Sequence, residues 1–154
     1  MERYNEKKTV IFKTFYSHLL QIYLSIKLNA KDVLEIGKGY GFVSSILSQY
    51  CNLTTLDFKE EFNPDILIDI TKLKQLDTLE DEAYDLILLC EVLEHLPYEE
   101  IDGILQILRK KTRKYFVISV PNQSGYCNIT FFRYGLDKSG FKIMKYFFVF
   151  FFNI

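Results

Sequence analysis

Cysteine, net charge and long apolar runs are all scarce in this sequence, and each scarcity removes a class of protein. The three cysteines, Cys51, Cys90 and Cys127, are odd in number, far apart and outside C-x-x-C spacing. Neither a disulfide framework nor a zinc site is indicated, no metal is expected, and a reducing cytoplasm is the expected compartment. A formal net charge of −1 gives no general attraction to nucleic acid or anionic lipid, so such a partner would need a local patch. No apolar run reaches the roughly 18 residues needed to cross a bilayer, and no membrane span is expected. The N-terminus mixes Glu2 and Glu6 with lysines and lacks the short apolar core of a signal peptide.

What is present suits one domain: 154 residues, 49% of them hydrophobic, can close around one core. Its expected parts are a helical segment over residues 1–31, a core over 32–122 and a C-terminal part over 123–154. Residues 10–28 place Val10, Ile11, Phe15, Leu19, Ile22, Tyr23 and Ile26 at helical spacing, the mark of a packing or lid helix. His18, between Tyr16 and Leu19, reads there as structural. The densest basic stretch, Arg109-Lys110-Lys111-Thr112-Arg113-Lys114, is expected at a solvated helix C-terminus, where cations suit the macrodipole.

The centre of the pattern is Val33-Leu34-Glu35-Ile36-Gly37-Lys38-Gly39-Tyr40-Gly41-Phe42, a strand that stops at an acid and runs into alternating glycines. Glycine at that density lets backbone approach a ligand closely. Apolar residues at 42, 43, 46, 47 and 50 then predict a helix whose first N–H groups are free for an anion or a polar ligand edge. The order is G-x-G-x-G. The dinucleotide fingerprint G-x-G-x-x-G would need its third glycine where Phe42 stands.

From Asp32 onward strands and helices alternate, which predicts parallel crossovers. A strand over 53–56 ends on Asp57, about 20 residues beyond the first loop glycine, where nucleoside-binding sheets place an acid for ribose hydroxyls. The next strand, 66–68, follows so soon after Pro64 that its crossover helix must be absent or a single turn. It too ends in an acid, Asp69, before Ile70. Residues 84–90 form the most continuous apolar run, as expected of a central strand buried on both faces. The run exits into Glu91-Val92-Leu93-Glu94-His95-Leu96-Pro97, whose charged groups are costly unless they face a cleft. A helix with Ile101, Ile104, Leu105 and Leu108 on one face and a strand over 115–120 follow. Residues 131–154 read as a short helix, a Gly140 cap and a sixth strand from residue 141.

With LEIGKGYG, TLD and YDLILLCEVLEHLP in this order and spacing, the sequence resembles the class I S-adenosylmethionine-dependent methyltransferases, type 11-like, over about residues 32–140. The resemblance implies an α/β fold, a Rossmann-like doubly wound, mostly parallel sheet, with S-adenosylmethionine across the carboxyl ends of strands 1, 2 and 4. It places the methionine moiety against Gly37, Gly39 and Gly41, with Glu35 steadying the loop. It gives Asp57 the ribose hydroxyls, sets Phe58 and Ile70 about adenine, and lets Asp69 accept from the exocyclic amine. Cys90 and Glu91 would face the methyl end. Lys38 departs from the small residue usual there, and its long side chain is expected to point to solvent. No counterpart of the family's final antiparallel strand is read after residue 152, so the sheet is expected to be shortened, with an apolar edge that invites homo-oligomers.

Methyl transfer from a sulfonium needs positioning more than covalent catalysis. Where the acceptor is a hydroxyl or ring nitrogen, His95 is the candidate base, with Glu91 and Glu94 weaker ones. The absence of an Asn/Asp-Pro-Pro-Tyr sequence after strand 4 argues, by resemblance, against DNA amino-methylation, so a small-molecule acceptor is expected. A non-catalytic S-adenosylmethionine-binding relative and, less readily, a nicotinamide-dependent oxidoreductase are the alternatives.

Overall fold

The computed structural model describes residues 2–121, 127–133 and 146–149, with side chains described for 15–120. Helix α1 (Glu2–Lys27) precedes strand β1 (Asp32–Ile36), helix α2 (Phe42–Leu47) and strand β2 (Asn52–Asp57). Strand β3 (Ile66–Leu67), helix α3 (Leu73–Leu76), strand β4 (Tyr84–Cys90), helix α4 (Tyr98–Lys111) and strand β5 (Thr112–Pro121) follow. Between β2 and β3 the chain makes only a 3-10 turn, Glu60–Phe62, the single turn predicted from the short spacing.

Five strands pair in parallel in the order β3-β2-β1-β4-β5. That is the expected Rossmann-like α/β arrangement. The chain leaves β1 toward β2 on one side, whereas β4 lies on its other side, so a crevice opens at the carboxyl ends where the order reverses. Beyond β5, residues 131–133, where the predicted helix was to begin, are extended instead, and the rest of that predicted helix, from 134, lies outside the described residues. Strand β6 (Cys127–Arg133) pairs antiparallel with β5, and strand β7 (Tyr146–Val149) antiparallel with β6. An antiparallel strand thus lies beside β5, drawn from residues 127–133 and not from the stretch after 152. The run Ile129-Thr130-Phe131-Phe132 is β-branched and aromatic, which favours a pleated strand over a helix. The predicted Gly140 cap lies outside the described residues.

The sheet divides the core in two. Val33, Leu86, Leu88, Cys90 and Val117 face α1 and α2 together with Ile22, Val43 and Leu47. Leu34, Ile36, Leu56, Ile87, Leu89 and Phe116 face the other way, onto Leu76, Ile104 and Leu108. Side chains alternate across a strand, so burial on both faces is why β4 reads as an unbroken apolar run.

The basic stretch closes α4 as predicted, with Arg109 and Lys110 exposed in its last turn, but its other cations are paired with carboxylates at the amino ends of the strands. Lys111 is buried, its Nζ 2.6 Å from Asp81 Oδ1, 3.5 Å from Asp77 Oδ1 and donating to the Asp77 carbonyl at 2.9 Å. Arg113 pairs with Asp32 and, at 3.1 Å, with Asp85; Lys114 reaches Asp85 at 3.0 Å. Asp85 also accepts from the Lys31 amide at 3.0 Å, and these donors draw its pKa down although burial opposes them. Lys111, Arg113 and Lys114 are thus matched to carboxylates that the sequence scatters over residues 32–85.

Candidate active site

A cleft of about 650 Å³ lies at the carboxyl ends of the central strands, within the range typical of small-molecule sites. Gly37, Gly39, Asp57, Phe58, Asp69, Ile70, Glu91 and His95 all line it. They come from four loops, each at a strand exit, so the sheet order brings together residues as much as 58 positions apart. Glu35, Gly41 and Cys90 lie outside the lining.

The glycine loop is pinned from several sides. The Gly37 N–H donates to the Leu56 carbonyl at 2.8 Å, and the Gly39 N–H to Asp57 Oδ2 at 3.1 Å. At Gly37 φ is +83°, and a Cβ there would stand 2.5 Å from Val92 Cγ2, so only glycine fits. At Gly39 φ is +51° but the space a Cβ would enter is open. Gly41, with φ +77°, precedes the first turn of α2. Lys38 does not point away to solvent as predicted. Its Nζ donates to the Asn63 carbonyl at 2.6 Å, tying the loop to the β2–β3 connection.

Asp57 is buried, and besides Gly39 it accepts from the Lys59 amide at 3.1 Å. Its carboxylate therefore sets the loop and the following turn as well as facing the cleft. Asp69 accepts from the Thr71 amide at 3.0 Å and hydroxyl at 2.7 Å, bonds that lower its pKa. Both end on Oδ1; Oδ2 carries no hydrogen bond among the described residues. Phe58 is exposed and Ile70 buried, two apolar surfaces on one cleft.

At the exit of β4, Glu91 has φ +57°, a rare backbone state for a residue with a side chain. Ser119 of β5 holds it: the Glu91 N–H donates to the Ser119 carbonyl at 3.0 Å, and Ser119 Oγ donates to Glu91 Oε1 at 2.8 Å. Cys90 is buried, its thiol 3.8 Å from the Val117 carbonyl and its pKa pushed up to about 12 chiefly by burial. It stays a protonated thiol. The His95 side chain is 77% exposed and 3.9 Å from Glu94, whose own pKa burial raises.

Behind the loop, Glu35 is buried with Oε2 unpartnered among the described residues, and burial lifts its pKa to about 7. Ser44 and Lys38 offset part of that rise, while Asp57 adds to it; the Ser44 hydroxyl faces Glu35 without hydrogen-bonding geometry. His18, from α1, stacks on Phe42 with centroids 5.4 Å apart, and burial lowers its pKa against the opposing charge of Glu91.

Sequence reasoning missed Val92, Ser119 and the pair Thr55–Asp65. Asp65 Oδ2 accepts from the Thr55 amide at 2.8 Å and hydroxyl at 2.6 Å, fixing the start of β3 beside β2. The available signal was a Thr or Ser opposite an acid across two strands, which becomes visible only once the register is known.

The pattern of a methyltransferase domain family matches residues 34–115, more than half of the chain and all of the cleft-forming loops. The chain belongs to the methyltransferase domain family. Solved structures share the fold. A SAM-dependent methyltransferase from Archaeoglobus fulgidus superposes with a TM-score of 0.60 at 22% identity, over 71% of this chain and 53% of that one. The N-methyltransferase NodS from Bradyrhizobium japonicum gives 0.55 at 18% identity over 70% of each chain. Magnesium protoporphyrin IX methyltransferase ChlM from Synechocystis, solved with bound SAM, gives 0.54 at 20% identity over 72% and 59%. This methyltransferase domain thus spans about half the length of the Archaeoglobus protein. No curated protein matches the sequence.

Proposed function

We propose that the chain holds S-adenosylmethionine in the cleft and directs methyl transfer to a small-molecule acceptor. The observation that carries this is the convergence of the glycine loop, the two strand-end acids and Glu91 on one cleft at the reversal of strand order. The residues suit the cofactor chemically. Gly37 leaves room that a side chain would fill, Asp69 keeps an oxygen for an amine donor, and Phe58 and Ile70 offer apolar faces for a purine.

In this reading Asp57 receives the ribose hydroxyls and Asp69 the adenine amine, which Phe58 and Ile70 flank. Gly37, Gly39 and Gly41, steadied by Glu35, border the methionine moiety. Cys90 and Glu91 stand at the methyl end. When bound, the cofactor supplies an electrophilic methyl group. His95, exposed at the rim, takes the proton of an acceptor hydroxyl or ring nitrogen, with Glu91 the second candidate. Residues 32–122 form the cofactor-binding part and 1–31 the packing helix. SAM and SAH bound to neighbouring proteins of the same fold support the choice of cofactor.

Calorimetric titration with S-adenosylmethionine, S-adenosylhomocysteine and NAD in parallel tests the proposal. Binding of the first two without the third is expected. Preference for NAD would turn the assignment toward an oxidoreductase, and binding of none would remove the cleft as a nucleoside site. A non-catalytic relative would bind the first two ligands without turnover on any acceptor.

A further inference from the structure

Helix α1 carries apolar side chains on two sides. Inward, Ile22 is buried, and Leu20, Leu24 and Leu28 pack on the cluster of Val33, Val43 and Leu47. Ser17, Gln21 and Ser25 are also buried, partnered along the helix by Gln21 Nε2 to Ser17 Oγ at 3.4 Å and Ser25 Oγ to the Gln21 carbonyl at 2.8 Å. Outward, Phe15, Leu19, Tyr23 and Ile26 are 47%, 44%, 54% and 46% exposed. Their spacing puts them in one stripe, about 16 Å long at 1.5 Å per residue. A helix needs one apolar face to seat itself on a core. The second face has no such use within the described fold.

Charge separates the possible occupants of that face. Between residues 2 and 27 the sequence has five basic residues (Arg3, Lys7, Lys8, Lys13 and Lys27) and two acidic ones (Glu2 and Glu6). The segment is therefore +3 in a chain whose net charge is −1, leaving the remainder at −4. A second copy presenting the same stripe would bring +3 against +3. An anionic lipid surface takes up both the apolar stripe and the charge. Lys27 stands at one end of the stripe, its Nζ 5.3 Å from the Tyr23 ring centre, where a flexible cation can reach headgroups. At the other end Phe15 meets Phe42 with centroids 5.8 Å apart, so the stripe continues onto the first residue of α2 behind the glycine loop. Among the described residues no helix is long and apolar enough to cross a membrane, which fits a helix lying in the interface plane.

We propose that α1 docks this protein peripherally onto an anionic lipid surface through Phe15, Leu19, Tyr23 and Ile26. The proposal is independent of which cofactor the cleft holds. Its test is co-sedimentation of the full chain with phosphatidylglycerol-containing vesicles, compared with pure phosphatidylcholine. Binding to the anionic vesicles is expected to be at least about tenfold stronger and to weaken in half-molar salt, as screening requires. The double variant Leu19→Glu/Ile26→Glu should lose vesicle binding while keeping its circular dichroism spectrum and its calorimetric response to cleft ligands. Because the chain has no tryptophan, Tyr23→Trp gives a single reporter whose emission should shift to the blue on anionic vesicles. Unshifted emission, equal binding to neutral vesicles, or retained binding by a folded double variant would overturn the proposal. So would a parent dimer that the double variant dissociates in sedimentation velocity, since the stripe would then be a self-interface.

Discussion

Replacing Glu35 by glutamine should change how stability depends on pH. Burial raises the Glu35 pKa from 4.5 to about 7, so the folded protein holds this proton more tightly than the unfolded chain does. Ionisation therefore favours unfolding. The destabilisation is absent below about pH 4.5, grows between about 4.5 and 7, and is constant above, where 1.36 kcal/mol per unit gives about 3 kcal/mol. Glutamine cannot ionise and escapes it. Its amide does bring new donors beside Ser44 Oγ and the position of Oε2, both unpartnered in the parent among the described residues, and an unmatched donor there would cost about 1–3 kcal/mol. That offset is the same at every pH. The diagnostic quantity is thus the stability of the variant minus that of the parent, followed by urea unfolding at pH 4.5, 6 and 8. It should rise by about 3 kcal/mol across the series. A flat difference would mean that Glu35 titrates normally in the folded protein, and the buried-proton argument would fail.

Asp57→Ala should weaken S-adenosylmethionine binding by about 1.5–3 kcal/mol, the range for hydrogen bonds to a charged group, and calorimetry with unchanged affinity would remove Asp57 from the ligand. Because Asp57 also holds the Gly39 and Lys59 amides, hydrogen exchange should quicken at those two amides in the same variant. Gly39→Val should abolish ligand binding, since it puts a β-branched residue at φ +51° on an open loop surface; native affinity would reduce the loop to an ordinary turn. Ser119→Ala frees the Glu91 carboxylate and, on the proposed mechanism, should lower kcat more than it alters KM; an unchanged kcat in methyl-transfer assays would separate Glu91 from the reacting atoms.

The elements legible in the sequence are those whose cause is local. The strand–glycine–helix turn around residue 37 declares itself because positive φ demands glycine, and Asp57 and Asp69 because each stands at the end of a short apolar strand. The run over 84–90 shows burial on both faces directly. Partnerships across the sheet left no local mark. Lys111 looked solvated because Asp77 and Asp81 lie 30 or more residues earlier, and Lys38 because its acceptor is a backbone carbonyl, which any residue supplies. Ser119 sits in the apolar half of β5, between Ile118 and Val120, and its role appears only when β5 is set beside β4. Only the first residues of the helix predicted from 131 can be compared, and at 131–133 strand pairing with β5 takes their place, because tertiary context decides between weak propensities.

The Lys38 strap joins the loops that follow β1 and β2, the Gly37 bond ties the first of them to Leu56 of β2, and β1 finds its two neighbours 20 and 53 residues away in sequence. No short stretch of the chain can assemble the cleft alone, and its walls exist only when the parallel sheet has closed. Ligand affinity and global folding are therefore linked quantities. A molecule that fits the cleft raises the unfolding free energy by RT ln(1 + [L]/Kd), about 2.7 kcal/mol at a hundredfold excess over Kd. Thermal unfolding in the presence of candidate nucleosides then reads occupancy without any knowledge of the methyl acceptor, and the acceptor itself can be sought as the compound that adds a second increment once the first site is full.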